Sequence, residues 1–246
     1  MLFDLDPLML AVVGVAAFVT AVMGGIAGIG TAIAMIPVMT FAIGVRDAIP
    51  VVTIAVTMNN FGRVWANRHT IDYTVVLWFS LGAVPLSVLG GVVFAKAPAE
   101  VLARGLAIFL ICLVIYRHMP IGRHTKFSNV RYFGFVGAAQ GFLSSIFGGA
   151  GPFGAHFFLA YGLYRNAFVG TSALATTSIN FARASTYAKF ALIGVDALVL
   201  GLLIGVVMVI GAYIGGRLVS RVPDGLFVYI VEGVMLAAAA ALLIEG

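Results

Sequence analysis

Apolar runs recur along the whole chain, parted by short polar or glycine-rich breaks. They cover residues 8–23, 31–43, 48–66, 73–95 and 99–117, then 132–147, 152–163, 167–190, 195–218 and 225–244. A helix rises ~1.5 Å per residue and the hydrocarbon core of a bilayer is ~30 Å thick, so about 20 residues span it. The runs 48–66, 73–95 and 99–117 are about that long, whereas 8–23 reaches only ~24 Å and 31–43 less. Glycines punctuate the short ones: Gly24-Gly25, Gly28 and Gly30 are read as ending the first segment, and Gly148-Gly149-Ala150-Gly151-Pro152 interrupts the second half. The pattern predicts an all-α polytopic membrane protein of ten segments in two sets of five.

The two sets match. Thr57, Asn60, Phe61 and Arg63 stand 120 residues before Thr177, Asn180, Phe181 and Arg183. Further markers recur at nearby offsets: Arg46 with Arg165, Asp72 with Asp196, Gly90-Gly91 with Gly215-Gly216, and Pro98 with Pro223. Residues 1–117 therefore form a first repeat, 118–131 a basic linker and 132–246 a second repeat. With five segments per repeat, the second copy enters the membrane from the opposite side, which gives an inverted topology with a short glycine-broken hairpin at the start of each repeat.

Composition agrees. Of 246 residues, 62% are hydrophobic and 9% charged, and mean hydropathy is +1.13, whereas a soluble domain carries about 25% charged residues. The net charge of +5 is not a nucleic-acid signal, because the basic residues sit mostly in short loops and set orientation. One side would carry Arg68, Arg117, Arg123, Lys126, Arg131, Arg165, Arg217 and Arg221. The other would carry Arg46, Lys96, Arg104 and Lys189, with most of the acids. This excess places the linker in the cytoplasm and both termini outside. The single Cys112 reads as a packing residue and says nothing of redox compartment. Asp4 and Asp6, rather than a basic stretch, precede the first run, which argues against a cleaved signal peptide.

Chemistry concentrates at the breaks. A helix that begins inside the membrane has N–H groups without intrahelical partners and a positive dipole end, so it suits an anion. The candidate ends lie near Gly30-Thr31 and near Gly151-Pro152. Two short, broken segments at matching places point to a transporter binding site, although glycines also serve close helix packing. Thr57, Asn60 and Arg63 lie three apart and form one polar stripe, as do Thr177, Asn180 and Arg183. An arginine within a span usually faces a cavity or a partner, or else snorkels to the interface. Buried asparagines need partners in either case. His156 either contacts substrate, carries a proton or packs as a neutral ring. Glu232, inside the last segment, is a proton-coupling candidate, with an ion pair to arginine as the alternative. Ser144-Ser145 and Thr171-Ser172 are further sources of hydroxyls or simply packing residues.

With these residues in view, the chain resembles the TauE/SafE family of sulfite and organosulfonate exporters. The resemblance rests on Gly28-Ile29-Gly30, Gly148-Gly149-Ala150-Gly151, Pro37 and Gly170-Thr171-Ser172-Ala173, and on the repeat length. It departs from the family pattern in shorter glycine runs and in His156-Phe157-Phe158, where a proline is expected. The resemblance implies a carrier in the plasma (inner) membrane that moves small sulfur-containing anions such as sulfite or sulfoacetate outward.

The expectation is therefore a secondary carrier holding a small anion between Gly30, Thr31, Gly151, His156 and the polar stripes, with no cofactor and no metal. Its partners are the substrate anion and the lipid bilayer, not nucleic acid, and a homodimer is among the open oligomeric states. A carboxylate carrier and an anion channel are the alternatives. An intramembrane enzyme is disfavoured, because the chain has no His-Glu-x-x-His or Gly-x-Ser-x-Gly, and the absence of a P-loop argues against ATP coupling within it.

Overall fold

Without water nearby, backbone amides must find partners within their own segment, and an apolar run of this length does so as a helix. The computed structural model describes residues 5–27, 31–118 and 129–218, with Leu236 and Ala240. Among them, α1 (Pro7–Ala27), α2 (Thr31–Ile43), α3 (Val45–Asn67), α4 (Tyr73–Lys96) and α5 (Ala99–His118) make up the first half. After a 3-10 turn at Val130–Tyr132 come α6 (Phe133–Phe147), α7 (Gly151–Tyr161), α8 (Arg165–Lys189) and α9 (Val195–Leu218). No strand occurs among the described residues. The expected tenth segment, 225–244, lies outside them apart from the two single residues, as do Gly28-Ile29-Gly30 and most of the linker.

Local sequence explains most boundaries. Asp72 caps α4, its Oδ1 accepting from the amides of Thr74 and Val75 at 3.0 and 3.1 Å, the usual way an orphan first-turn donor is satisfied. At the other end of α4, Arg46 donates to the carbonyls of Ala95 and Ala97. Gly148 ends α6 in the left-handed region at φ 80°, where a side chain would be strained. One expectation fails here: Gly24 and Gly25 do not end the first helix, which continues to Ala27. Gly24 serves packing instead, since a Cβ there would lie 1.9 Å from Thr31 Oγ1.

Four described helices are long and apolar enough to cross a membrane, over Pro7–Gly24, Tyr73–Lys96, Ala99–Tyr116 and Val195–Gly215. The two longest remaining helices, α3 with 23 residues and α8 with 25, have the length but carry the polar stripes. Each is shielded by an apolar helix of the other half: α3 packs on α9, and α8 packs on α4. The outer pairs follow the same exchange, α1 on α9 and α6 on α4, while α3 and α8 meet each other.

Glycine sets how closely the outer pairs approach. A Cβ on Gly90 would come 2.6 Å from the Phe142 carbonyl oxygen, and one on Gly215 would come 2.0 Å from that of Val22. Both members of this matched glycine pair thus do the same work, one in each half. Gly137 is tighter than Gly90, with its added Cβ 2.1 Å from the Phe79 carbonyl oxygen, whereas Gly14 has nothing within 4 Å.

Gly137→Ala is therefore expected to destabilise the protein by about 1–3 kcal/mol through the forced separation of α4 and α6. Gly14→Ala gains helix propensity and loses no contact, so its effect is neutral to slightly stabilising. Melting temperatures of the two purified variants in detergent, each against the parent, check the contrast.

Candidate functional site

The break between α6 and α7 is held by α8. Four carbonyls at a helix C-terminus lack intrahelical donors, and here side chains supply them. Arg183 Nη1 donates to the Ser144 and Gly148 carbonyls at 2.6 and 2.7 Å. One turn on, the Tyr187 hydroxyl donates to the Ser145 carbonyl, and its ring packs against Phe94 in a tilted contact with centroids 5.0 Å apart. Ser144 Oγ reaches forward to accept the Ala150 amide at 2.9 Å, fixing the residue that precedes α7. Pro152, with no N–H to satisfy, then sits in the first turn of α7.

This broken loop rests on the start of α2. A Cβ on Gly149 would lie 3.0 Å from Ala32 Cβ, and one on Gly148 2.6 Å from Ile36 Cδ1. The N-terminus of α2 and the N-terminus of α7 are thereby brought to one place. Between them and the facing surfaces of α3 and α8 lies a cavity of about 70 Å³, room enough for a small oxyanion or several waters. Its wall includes Thr31 and Ala32 of α2, Gly149, Ala150 and Gly151 at the second break, and Gln140 and Ser144 of α6. From α3 come Val56, Asn60 and Arg63, and from α8 Ser172, Thr176, Ile179, Asn180 and Arg183. Two guanidinium groups and two positive helix ends line this space, and among the described residues no Asp or Glu is in the wall. The field therefore favours an anion.

The two asparagines differ in their bonding. Asn60 Nδ2 donates to Thr176 Oγ1 at 3.2 Å, and its Oδ1 accepts from Arg63 Nη1 at 3.4 Å. Asn180 is 3% exposed, and its Nδ2 has no hydrogen-bond partner among the described residues. An unpaired buried donor costs about 1–3 kcal/mol, and a bound anion would remove that cost.

The all-helical architecture agrees with a comparison of the sequence against known families. The sequence model described as Sulfite exporter TauE/SafE matches residues 13–242, nearly the whole chain. The protein belongs to the TauE/SafE family. Members of the TauE/SafE family are membrane transporters rather than enzymes, and sulfite export is the activity that the family's name carries. No curated protein and no solved structure matches the chain.

In this TauE/SafE chain the structure gathers Thr31, Asn60, Arg63, Gly151, Asn180 and Arg183 around one cavity. Thr57 and Thr177 are not among its wall residues. Each hydroxyl bonds the carbonyl four residues back, Thr57 to Thr53 at 2.6 Å and Thr177 to Ala173 at 2.7 Å, as threonines in helices commonly do. His156 is also absent from the wall and lies edge-on to Phe157, ring centroids 5.9 Å apart. Gly30 and Glu232 lie outside the described residues. Gln140 is a wall residue that sequence reasoning passed over. It is the only glutamine in the chain, inside an apolar segment, and that isolation was the available signal. Thr171 braces instead of binding: its Oγ1 accepts the Asp72 amide at 3.0 Å.

Arg183→Met keeps length and packing but strands the Ser144 and Gly148 carbonyls, so a loss of about 3 kcal/mol or more is expected. Ser185→Ala, which removes only a bond to the Phe181 carbonyl of the same helix, changes stability within about 0.5 kcal/mol. Thermal unfolding of both variants in the same detergent compares the two losses.

Proposed function

We propose that the protein exports small sulfur-containing oxyanions, such as sulfite or an organosulfonate, across the plasma membrane. The anion would sit where the first turns of α2 and α7 converge, between Arg63 and Asn180. The observation that carries this reading is the meeting of two helix N-termini and two arginines in one wall, with no carboxylate among the described residues that line it. Oriented amides and guanidinium groups can replace an oxyanion's hydration shell without a metal or a cofactor.

Transport would proceed by alternating access, one half rocking against the other around this cavity. Support comes from the exchange pattern of packing, in which α1, α3 and α4 of the first half take the roles of α6, α8 and α9 of the second. Such an exchange suits an inverted repeat, whose binding site sits near the midplane at the repeat interface. In this reading the linker is cytoplasmic and both termini are outside, as the uneven distribution of Lys and Arg suggests.

Purified protein in proteoliposomes is expected to exchange external unlabelled sulfite for internal radiolabelled sulfite, with saturable counterflow. Sulfoacetate should compete, and acetate should compete less. Steady anion current without exchange would instead indicate a channel. Preference for acetate over sulfite would move the assignment to carboxylates.

A further inference from the structure

The repeated motif places chemically different residues at one matched position, and the two asparagines feel the difference. Phe61 and Phe181, 120 residues apart, are in edge-to-face contact with centroids 5.9 Å apart. A residue touching its own counterpart marks a local two-fold relation between α3 and α8. Under that relation the counterpart of the contact from Asn60 to Thr176 would run from Asn180 to Val56, since 176 and 56 also differ by 120, and both residues are in the cavity wall. Thr176 can accept a hydrogen bond and does so from Asn60. Val56, a wall residue that is 8% exposed, cannot. Thr176 is held ready by donating its own proton to the Ser172 carbonyl at 2.7 Å, and Val56 has no hydroxyl to do the same.

From this inequality we propose that the matched asparagines have divided their work and that position 56 sets the division. Asn60 is a brace that ties α3 to α8 through Thr176, and Asn180 is the amide that reads the anion. Valine at position 56 keeps Asn180 available, because a hydroxyl there would satisfy the amide from within the protein. Val56 is thus a specificity-determining residue that acts by withholding a hydrogen bond. The inference rests on the anion-site reading above and adds to it which of two similar side chains meets the ligand.

The test installs the missing partner. Threonine at 56 can bond back to the Val52 carbonyl as Thr176 does to Ser172, leaving its oxygen facing Asn180. Full-length protein in detergent is titrated calorimetrically with sodium sulfite and with sulfoacetate, and melting temperatures are read in parallel. Asn180→Ala is expected to weaken binding tenfold or more, as loss of a hydrogen bond to a charged group does. Val56→Thr is expected to weaken it by about tenfold, with a melting temperature equal to or above the parent's. In the Asn180→Ala background the same threonine should cost nothing further, since the two changes act on one bond. Should the threonine variant fail to fold, Val56→Ser supplies the hydroxyl in a smaller volume. Parental affinity in a folded hydroxyl variant overturns the proposal, and so does an equal loss in both backgrounds. A parent protein that binds neither anion sinks the anion-site reading itself, a result distinct from either.

Discussion

A helix that stops inside a membrane leaves carbonyls and amides that water cannot reach, and the site is arranged around that constraint. At the α6 break, Arg183 and Tyr187 of α8 satisfy the Ser144, Gly148 and Ser145 carbonyls, and Ser144 satisfies the Ala150 amide. These bonds leave the first turn of α7 oriented but not filled. The same arginine joins two tasks: it neutralises the negative end of one helix and adds positive charge to the wall where the next helix begins. A broken helix thereby becomes a fixed dipole facing a cavity, and an anion bound there as proposed would need little reorganisation of the protein.

Burying Arg183, half-burying Arg63 and enclosing several amides requires shielding, which explains the exchanged packing. Neither α3 nor α8 is apolar enough to face lipid on all sides, so each takes an apolar helix from the opposite half. Small residues make the exchange possible. Gly90 and Gly215 let α4 and α9 press against the backbones of α6 and α1, as close-packed membrane helices do. Halves that interlock this way cannot be treated as two independent bodies joined by a linker, because each completes the other's polar layer.

Periodicity made the helix plan legible: 31–43, 73–95 and 195–218 lie within a residue of α2, α4 and α9. It misled at Gly24-Gly25, where the helix continues and Gly24 accommodates Thr31. A glycine's sequence neighbours do not reveal whether it breaks a helix or admits a neighbour. The polar stripe was visible in the Thr-x-x-Asn spacing, but its members part in space. Thr57 and Thr177 bond to their own helices, whereas Asn60, Asn180 and both arginines reach the cavity. Such local back-bonding leaves no periodic trace. Gln140 escaped notice because it has no partner motif, and it becomes a wall residue only once α6 is packed against α7 and α8.

A duplicated site in a carrier faces two demands that pull apart. Matching halves favour exchange between two states of similar energy, yet a single small anion cannot use two full sets of identical ligands. In the proposed carrier the cavity would meet both demands by keeping the motif residues paired while the neighbouring side chains diverge. The helix N-termini, asparagines and arginines remain in both copies, but the hydroxyl of Thr176 has no equivalent at Val56. Asn60 consequently spends both ends of its amide on the protein, and Asn180 keeps its donor. A methyl group in place of a hydroxyl is a small change in volume, but in a low-dielectric wall it would decide, under the division proposed above, which of two amides is left to a ligand.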